Sequence, residues 1–365
     1  MCIFATTKAK SQDMKASGPL RIFIFCILQS VLINAYPQKI LKQTNISKAG
    51  IQPGNYSGIT YLGNNLYAIV DDKNNKTAFE TFEIMLNPEN GKIDKITLHN
   101  KNIIVNQHFP TTQNDAESIT YCNTTKTIFI CSESEQTIKE FTIEGKQTGR
   151  ELSIPKLFSK ENIQKNRGFE ALTYSTYDSL FWTVTESELI TDKDNNQLNG
   201  QKLRIQSFGL DLQPKKQYAY LTDKPTAKRK GKEYAHGISS ILALEDGRLI
   251  VLEREIKVSN YYIGSYSKHK LFVISPTEQN ECSFTESLNK IPPDIFIQKK
   301  EICSFNTRLR IGKINLANYE GICLGPKLND GRQTIILIND SQSRKGNKFY
   351  RLKDYLKVII LPHLF

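Results

Sequence analysis

The 365-residue chain is 39% hydrophobic, with 16 Tyr and 18 Phe against 3 Met and 1 Trp. It can bury a large core, and its make-up suits strands better than helical bundles. The formal net charge of +12 favours an anionic ligand or surface. The lysines are dispersed, however, and no recognition motif accompanies them, which excludes nucleic acid as a partner.

In chain order the first element is a leader. Leu20 to Ala35 is almost wholly apolar, with Lys15 and Arg21 on its N-terminal side and Tyr36-Pro37 after it. This reads as a signal peptide over residues 1–35, cut after Ala35, with Met14 as an alternative start. The protein is therefore expected to be exported, periplasmic or secreted. Sixteen apolar residues are short for a spanning helix, and Phe25 stands before Cys26 where a lipid anchor needs a small residue. Lys8, Lys10, Lys15 and Arg21 against Asp13 carry +3 of the charge, leaving about +9 on the mature chain.

From residue 36 onward one phrase recurs five times: a small residue, an apolar strand, a turn, and a second apolar strand ending in acid. The copies are Ser57–Tyr61 running to Asp71, Glu117–Tyr121 to Glu133, Glu170–Tyr174 to Glu186, Ser239–Ala243 to Glu253, and Glu320–Leu324 to Asp340. Turns sit between the two strands at Asn64-Asn65, Asp178-Ser179, Asp246-Gly247 and Asp330-Gly331. A repeated antiparallel pair at this spacing predicts an all-β fold, a β-propeller of four-stranded blades. A two-sheet sandwich is the rival, but it does not call for acids at matched strand ends. The small residues Gly58, Ser118, Ala171, Ser240 and Gly321 are 60, 53, 69 and 81 residues apart. The longest interval holds Lys270–Ile274, read as part of a degenerate sixth blade, so six blades are expected. Tyr36–Ser47 and Lys348–Ile360 supply strands to close the ring.

Some features read as structure alone. Asp192–Gln197 looks like a calcium loop but lacks the required Gly and Glu, and reads as a solvated hairpin tip. Cys122 and Cys131 fall out of register across their turn. Cys282 and Cys303 bracket a polar insertion that an exported protein could staple. No Cys/His spacing suggests zinc.

Two segments are more specific: Gly237–Arg254, and Asn318–Pro326 with Asp330-Gly331-Arg332 and Asn339-Asp340. Together with Arg167–Leu172 they resemble the phytase-like family, described as having esterase-like activity, from about residue 50 to residue 355. The resemblance implies a single exported β-propeller domain over 36–365 and hydrolysis of an ester or phosphoester.

The chemistry follows from the acids. In an antiparallel hairpin the start of one strand and the end of the next lie together, so Glu117, Glu170 and Glu320 should meet Glu133, Glu186, Glu253 and Asp340 at one rim. Carboxylates so gathered repel unless a cation intervenes. The candidate metal ligands are Glu117, Glu170, Glu186, Glu253, Glu320 and Asp340, and calcium suits irregular oxygen coordination. The catalytic candidates are Glu170, Glu320, His236 for proton transfer and Arg254 for gripping an anion, with Arg167 beside it. With the resemblance, a small anionic ester or phosphoester is the expected substrate, and a monomer is expected. There is no Gly-x-Ser-x-Gly elbow, so metal-activated water is favoured over a nucleophile. The same glutamates could instead hold blades together, Glu253 and Arg254 could be an internal ion pair, and the mouth could bind a sugar, peptide or envelope component without catalysis.

Overall fold

The computed structural model describes residues 38–72, 77–103, 115–194, 200–227, 231–346 and 350–362. The expected leader lies outside them, as do Lys228–Lys230 and the end of the Asp192–Gln197 run. Among the described residues all helices are single 3₁₀ turns, and no helix is long and apolar enough to cross a membrane.

Strands β1 (Lys39–Ile40) and β2 (Thr44–Asn45) come first. Five blades follow: β3 (Tyr56–Gly63), β4 (Leu66–Asp71), β5 (Thr77–Leu86) and β6 (Ile93–Ile103); β7 (Ala116–Cys122), β8 (Thr127–Ser132), β9 (Thr137–Phe141) and β10 (Gln147–Glu151); β11 (Phe169–Ser175), β12 (Leu180–Thr185), β13 (Lys202–Phe208) and β14 (Pro214–Leu221). Blade four is β15 (Glu233–Ala243), β16 (Leu249–Val258), β17 (Tyr266–Ile274) and β18 (Lys299–Arg310), extended by β19 (Lys313–Ile314). Blade five is β20 (Asn318–Leu324), β21 (Thr334–Asp340) and β22 (Tyr355–Ile360), completed by β1 and β2 on the outer side of β22. The ring is thus closed by the first and last described strands, as the sequence suggests.

The expected six blades are five. Lys270–Ile274 belongs to β17, the third strand of blade four. The long interval comes instead from residues 275–298, which pack on the edge of blade three: the Cys282 and Ile297 amides donate to the Gln217 and Ala219 carbonyls, both at 2.9 Å. Cys282 and Cys303 remain separate buried thiols. Asp192 is no solvated tip. It is fully buried, and its carboxylate takes the Arg204 guanidinium at 2.6 and 2.9 Å. Cys122 pairs with Thr127, out of step with Cys131, as the turn length implies.

Each blade buries both faces against its neighbours. In β8, Ile128 and Ile130 pack with Val70 and Phe79 of blade one. The intervening Phe129 and Cys131 pack with Phe169 and Phe181 of blade three. This is why the middle strands read as unbroken apolar runs rather than alternating ones. The inner strands β3, β7, β11, β15 and β20 stand side by side around the axis, and their contacts explain the small residues. A Cβ on Gly58 would lie 2.8 Å from the Ser118 Cα, and one on Gly321 3.0 Å from the Gly58 Cα.

Candidate functional site

Every inner hairpin slips register by one residue at the same place, between Tyr56 and Gly58, Ala116 and Ser118, Phe169 and Ala171, Ile238 and Ser240, and Tyr319 and Gly321. The five unpaired residues are Ser57, Glu117, Glu170, Ser239 and Glu320, the first position of each copy. A bulge re-aims the side chain of its extra residue. Here it turns three glutamates, of which Glu117 and Glu170 are 9% and 7% exposed, toward one another at the channel mouth.

The same slip sets the second ring of residues. Asp71, Ser132, Thr185, Glu253 and Asn339 lie opposite Tyr56, Ala116, Phe169, Ile238 and Tyr319. One residue further stand Asp72, Glu133, Glu186, Arg254 and Asp340. Blade four therefore offers Arg254, not Glu253, where the other blades offer acid. Glu253, an expected ligand, does not join the cluster. Its carboxylate accepts the Tyr220 hydroxyl at 2.7 Å, the Asp223 amide at 2.9 Å and the Lys299 ammonium at 2.5 Å. The sequence reading also left Asp72 and Asp115 outside the site, although Asp71-Asp72 is an adjacent acidic pair.

One carboxylate oxygen from each of Glu117, Glu133 and Glu170 lies within 4.8 Å of the others, and the same holds for Asp72, Asp115 and Glu117. Glu133 accepts the Gly168 amide at 2.8 Å. Among the described residues neither Glu117 nor Glu170 has a hydrogen-bond or ion-pair partner. Burial, then the neighbouring carboxylates, pushes both well above the ordinary range. Burial likewise raises Glu133 to about 7, and burial with Asp340 raises Glu320 to about 8. The donors are all oxygen, a set that suits a hard divalent cation rather than zinc or copper.

Arg254 organises the rest. It is 4% exposed and bridges Glu186 and Glu320, with Asn318 Oδ1 a further acceptor at 3.3 Å. Burial works against its charge, but Glu186 and Glu320 hold its pKa up. It is thus an internal ion pair with those two glutamates, not with Glu253. Arg167 takes the other Glu186 oxygen and donates to the Tyr234 carbonyl at 3.1 Å. His236 lies off the acidic cluster, in a cleft between blades three and four that Arg167 also lines. Burial lowers its pKa, so it is a neutral imidazole near pH 7. Gly237 beside it has to be glycine, since a Cβ there would lie 1.8 Å from the Glu186 carbonyl oxygen.

Solved structures that resemble this one include a streptogramin B lyase, at 15% identity over 89% of this chain and 99% of that one, TM-score 0.34. Others are the catalytic domain of a Coprinopsis cinerea α-L-arabinofuranosidase, at 9% identity over 88% and 95%, TM-score 0.39, and a β-propeller domain from Myceliophteria thermophila, at 8% over 88% and 99%, TM-score 0.31. None of the curated proteins matches the sequence. The family model described as esterase-like activity of phytase matches residues 51–342. That span takes in all five bulged hairpins and both rings of the channel mouth, and the chain belongs to the phytase-like family.

Proposed function

We propose that this protein is an exported hydrolase of a phosphate or other ester, acting with calcium at the acidic channel mouth. The observation that carries the reading is the convergence of Glu117, Glu133 and Glu170, two of them buried without a partner among the described residues. Buried carboxylates in that state are costly unless protonated or bound to a cation. Glu117, Glu133 and Glu170 would hold calcium, with Asp72 and Asp115 adjoining. Calcium at such a place supplies charge that polarises an ester oxygen and acidifies a water.

The chain's own residues divide the remaining work. Arg254 engages Glu186 and Glu320, which fixes their direction and limits the negative charge at the mouth. Its positioning role replaces the substrate clamp expected for it. Arg167, whose side chain is 31% exposed, is the guanidinium able to meet an incoming anion. His236, neutral near pH 7, is placed in the adjoining cleft to accept a proton.

The test is calcium binding and turnover in Glu117→Gln and Glu170→Gln, on aryl phosphates, aryl acetates and inositol phosphates, with and without calcium. Both variants are expected to lose calcium and turnover, and full activity in either sinks the metal mechanism. No turnover of any substrate by the wild-type protein would favour the non-catalytic reading, a mouth that binds a sugar, peptide or envelope component.

A further inference from the structure

Blade four is built differently from the others at the mouth. Among the described residues, the inner hairpins of the other blades stop pairing within a residue of the acidic rings. The β15–β16 hairpin continues through Gly237↔Arg254 out to Glu233↔Val258, and β17–β18 follows it to Tyr266↔Arg308. The overshoot raises a wall beside the ring. Between this wall and blade five lies a cleft with an apolar side, from Ile256, Val258, Leu309, Leu316, Leu352 and Tyr262, and with Glu233 and Lys345 also in its lining. Leu309 and Leu316, 1% and 7% exposed, form its packed floor. The Tyr262 ring is braced by Tyr350, with centroids 5.4 Å apart.

The inner end of the cleft meets the acidic mouth. Asn318 and Asp340 line it, and Asn318 is the residue that accepts from Arg254 and donates to Glu320 at 2.7 Å. An apolar slot opening onto a charged centre recognises a molecule with both features, a polar head at the centre and an apolar body in the slot.

We propose that this cleft is the specificity site for the apolar substituent of the substrate, so that the ester carries an alkyl or aryl group rather than being polar throughout. The inference rests on the hydrolase reading for the word substrate, but the binding it describes does not require turnover. It disfavours an inositol phosphate, which has no apolar body to place between Ile256 and Leu316.

Binding of non-hydrolysable phosphonates measures this directly. Calorimetry with methyl-, hexyl- and phenylphosphonate, in the presence of calcium, compares one head group with three bodies. Each well-buried methylene multiplies affinity about fourfold, so hexylphosphonate is expected to bind at least tenfold tighter than methylphosphonate. The phenyl arm tells whether the slot takes a flat ring or only a chain. Ile256→Asp, which places a charge on the wall, is expected to abolish the preference, so that hexyl- and methylphosphonate bind alike. Ile256→Trp narrows the slot without a charge and should do the same if the aspartate variant fails to fold. Equal affinity for all three phosphonates, or no binding of any, overturns the proposal. A hexyl preference with no ester turnover leaves the cleft standing and removes only the hydrolase reading.

Discussion

Glu117 and Glu170 come from adjacent blades, and the single-residue bulge beneath each of them decides whether they meet. With the bulge they share a space with Glu133; a regular ladder would send them to the opposite face. Their protonation then depends on what else the mouth holds. Burial and mutual repulsion raise Glu133 to about 7 and Glu320 to about 8, with Glu117 and Glu170 also raised, while Arg254 partly offsets the effect at Glu170 and Glu320. Groups raised above their unfolded values stabilise the fold most below about pH 4.5 and lose that contribution as pH rises through 7 to 8. The metal-free protein should therefore melt at progressively lower temperature from pH 5 to pH 8. Calcium should raise the melting temperature, and do so more at pH 8 than at pH 5, because at pH 5 it competes with protons. A melting temperature that is flat over this range and indifferent to calcium would mean that the carboxylates are already compensated.

At the scale of the strand, threonines join the blades. Thr60, Thr120 and Thr173 each accept, through the side-chain hydroxyl, the backbone amide of the next blade's inner strand, from Tyr121 at 3.1 Å, Tyr174 at 2.9 Å and Ala243 at 3.1 Å. Where blades four and five carry Leu242 and Cys323 at that position, no hydroxyl is available. Replacing Thr120 by Val removes the acceptor and leaves the buried Tyr174 amide without a partner, a loss of about 1–3 kcal/mol. Thr120→Ser should recover most of it, and denaturant unfolding of the two variants measures the difference. A small loss in Val with a larger loss in Ser would assign the effect to packing of the methyl group instead. The fivefold phrase, the turns such as Asn64-Asn65, both in the left-handed region, and the closing strands were all legible from residue types. The threonine contacts were not, because they run between copies far apart in the chain. Nor was the offset that separates Glu253 from Arg254. Both are polar residues at the end of an apolar run, and a bulge of one residue changes which of them reaches the mouth.

For the whole molecule, one interaction distinguishes a ring from an open stack of blades. The first and last described strands both lie in blade five, where Lys39 and Ile40 pair with Ile360 and Ile359, and Thr44 with Leu356. The Leu41 amide donates to the Val358 carbonyl at 2.9 Å, the Lys357 ammonium to the Leu41 carbonyl at 3.0 Å, and Ile46 is wholly buried beneath. The sequence length that hid the blade count, residues 275–298, does not disturb this closure because it packs outward on blade three. Few residues close the ring, yet opening it would separate the channel-mouth residues of blade five, Glu320 and Asp340, from those of blade one. A chain starting at Ile51 lacks β1 and β2 while keeping all seven acids of the two rings. It is expected to lose calcium affinity and cooperative unfolding, since β1 and β2 complete the sheet that packs blade five against blade one beside the Gly58–Gly321 contact. Adding back a synthetic peptide of residues 38–50 should restore part of both, as strand addition to the exposed edge of β22. Retention of full calcium affinity by the shortened chain would show instead that the inner hairpins fix the mouth by themselves.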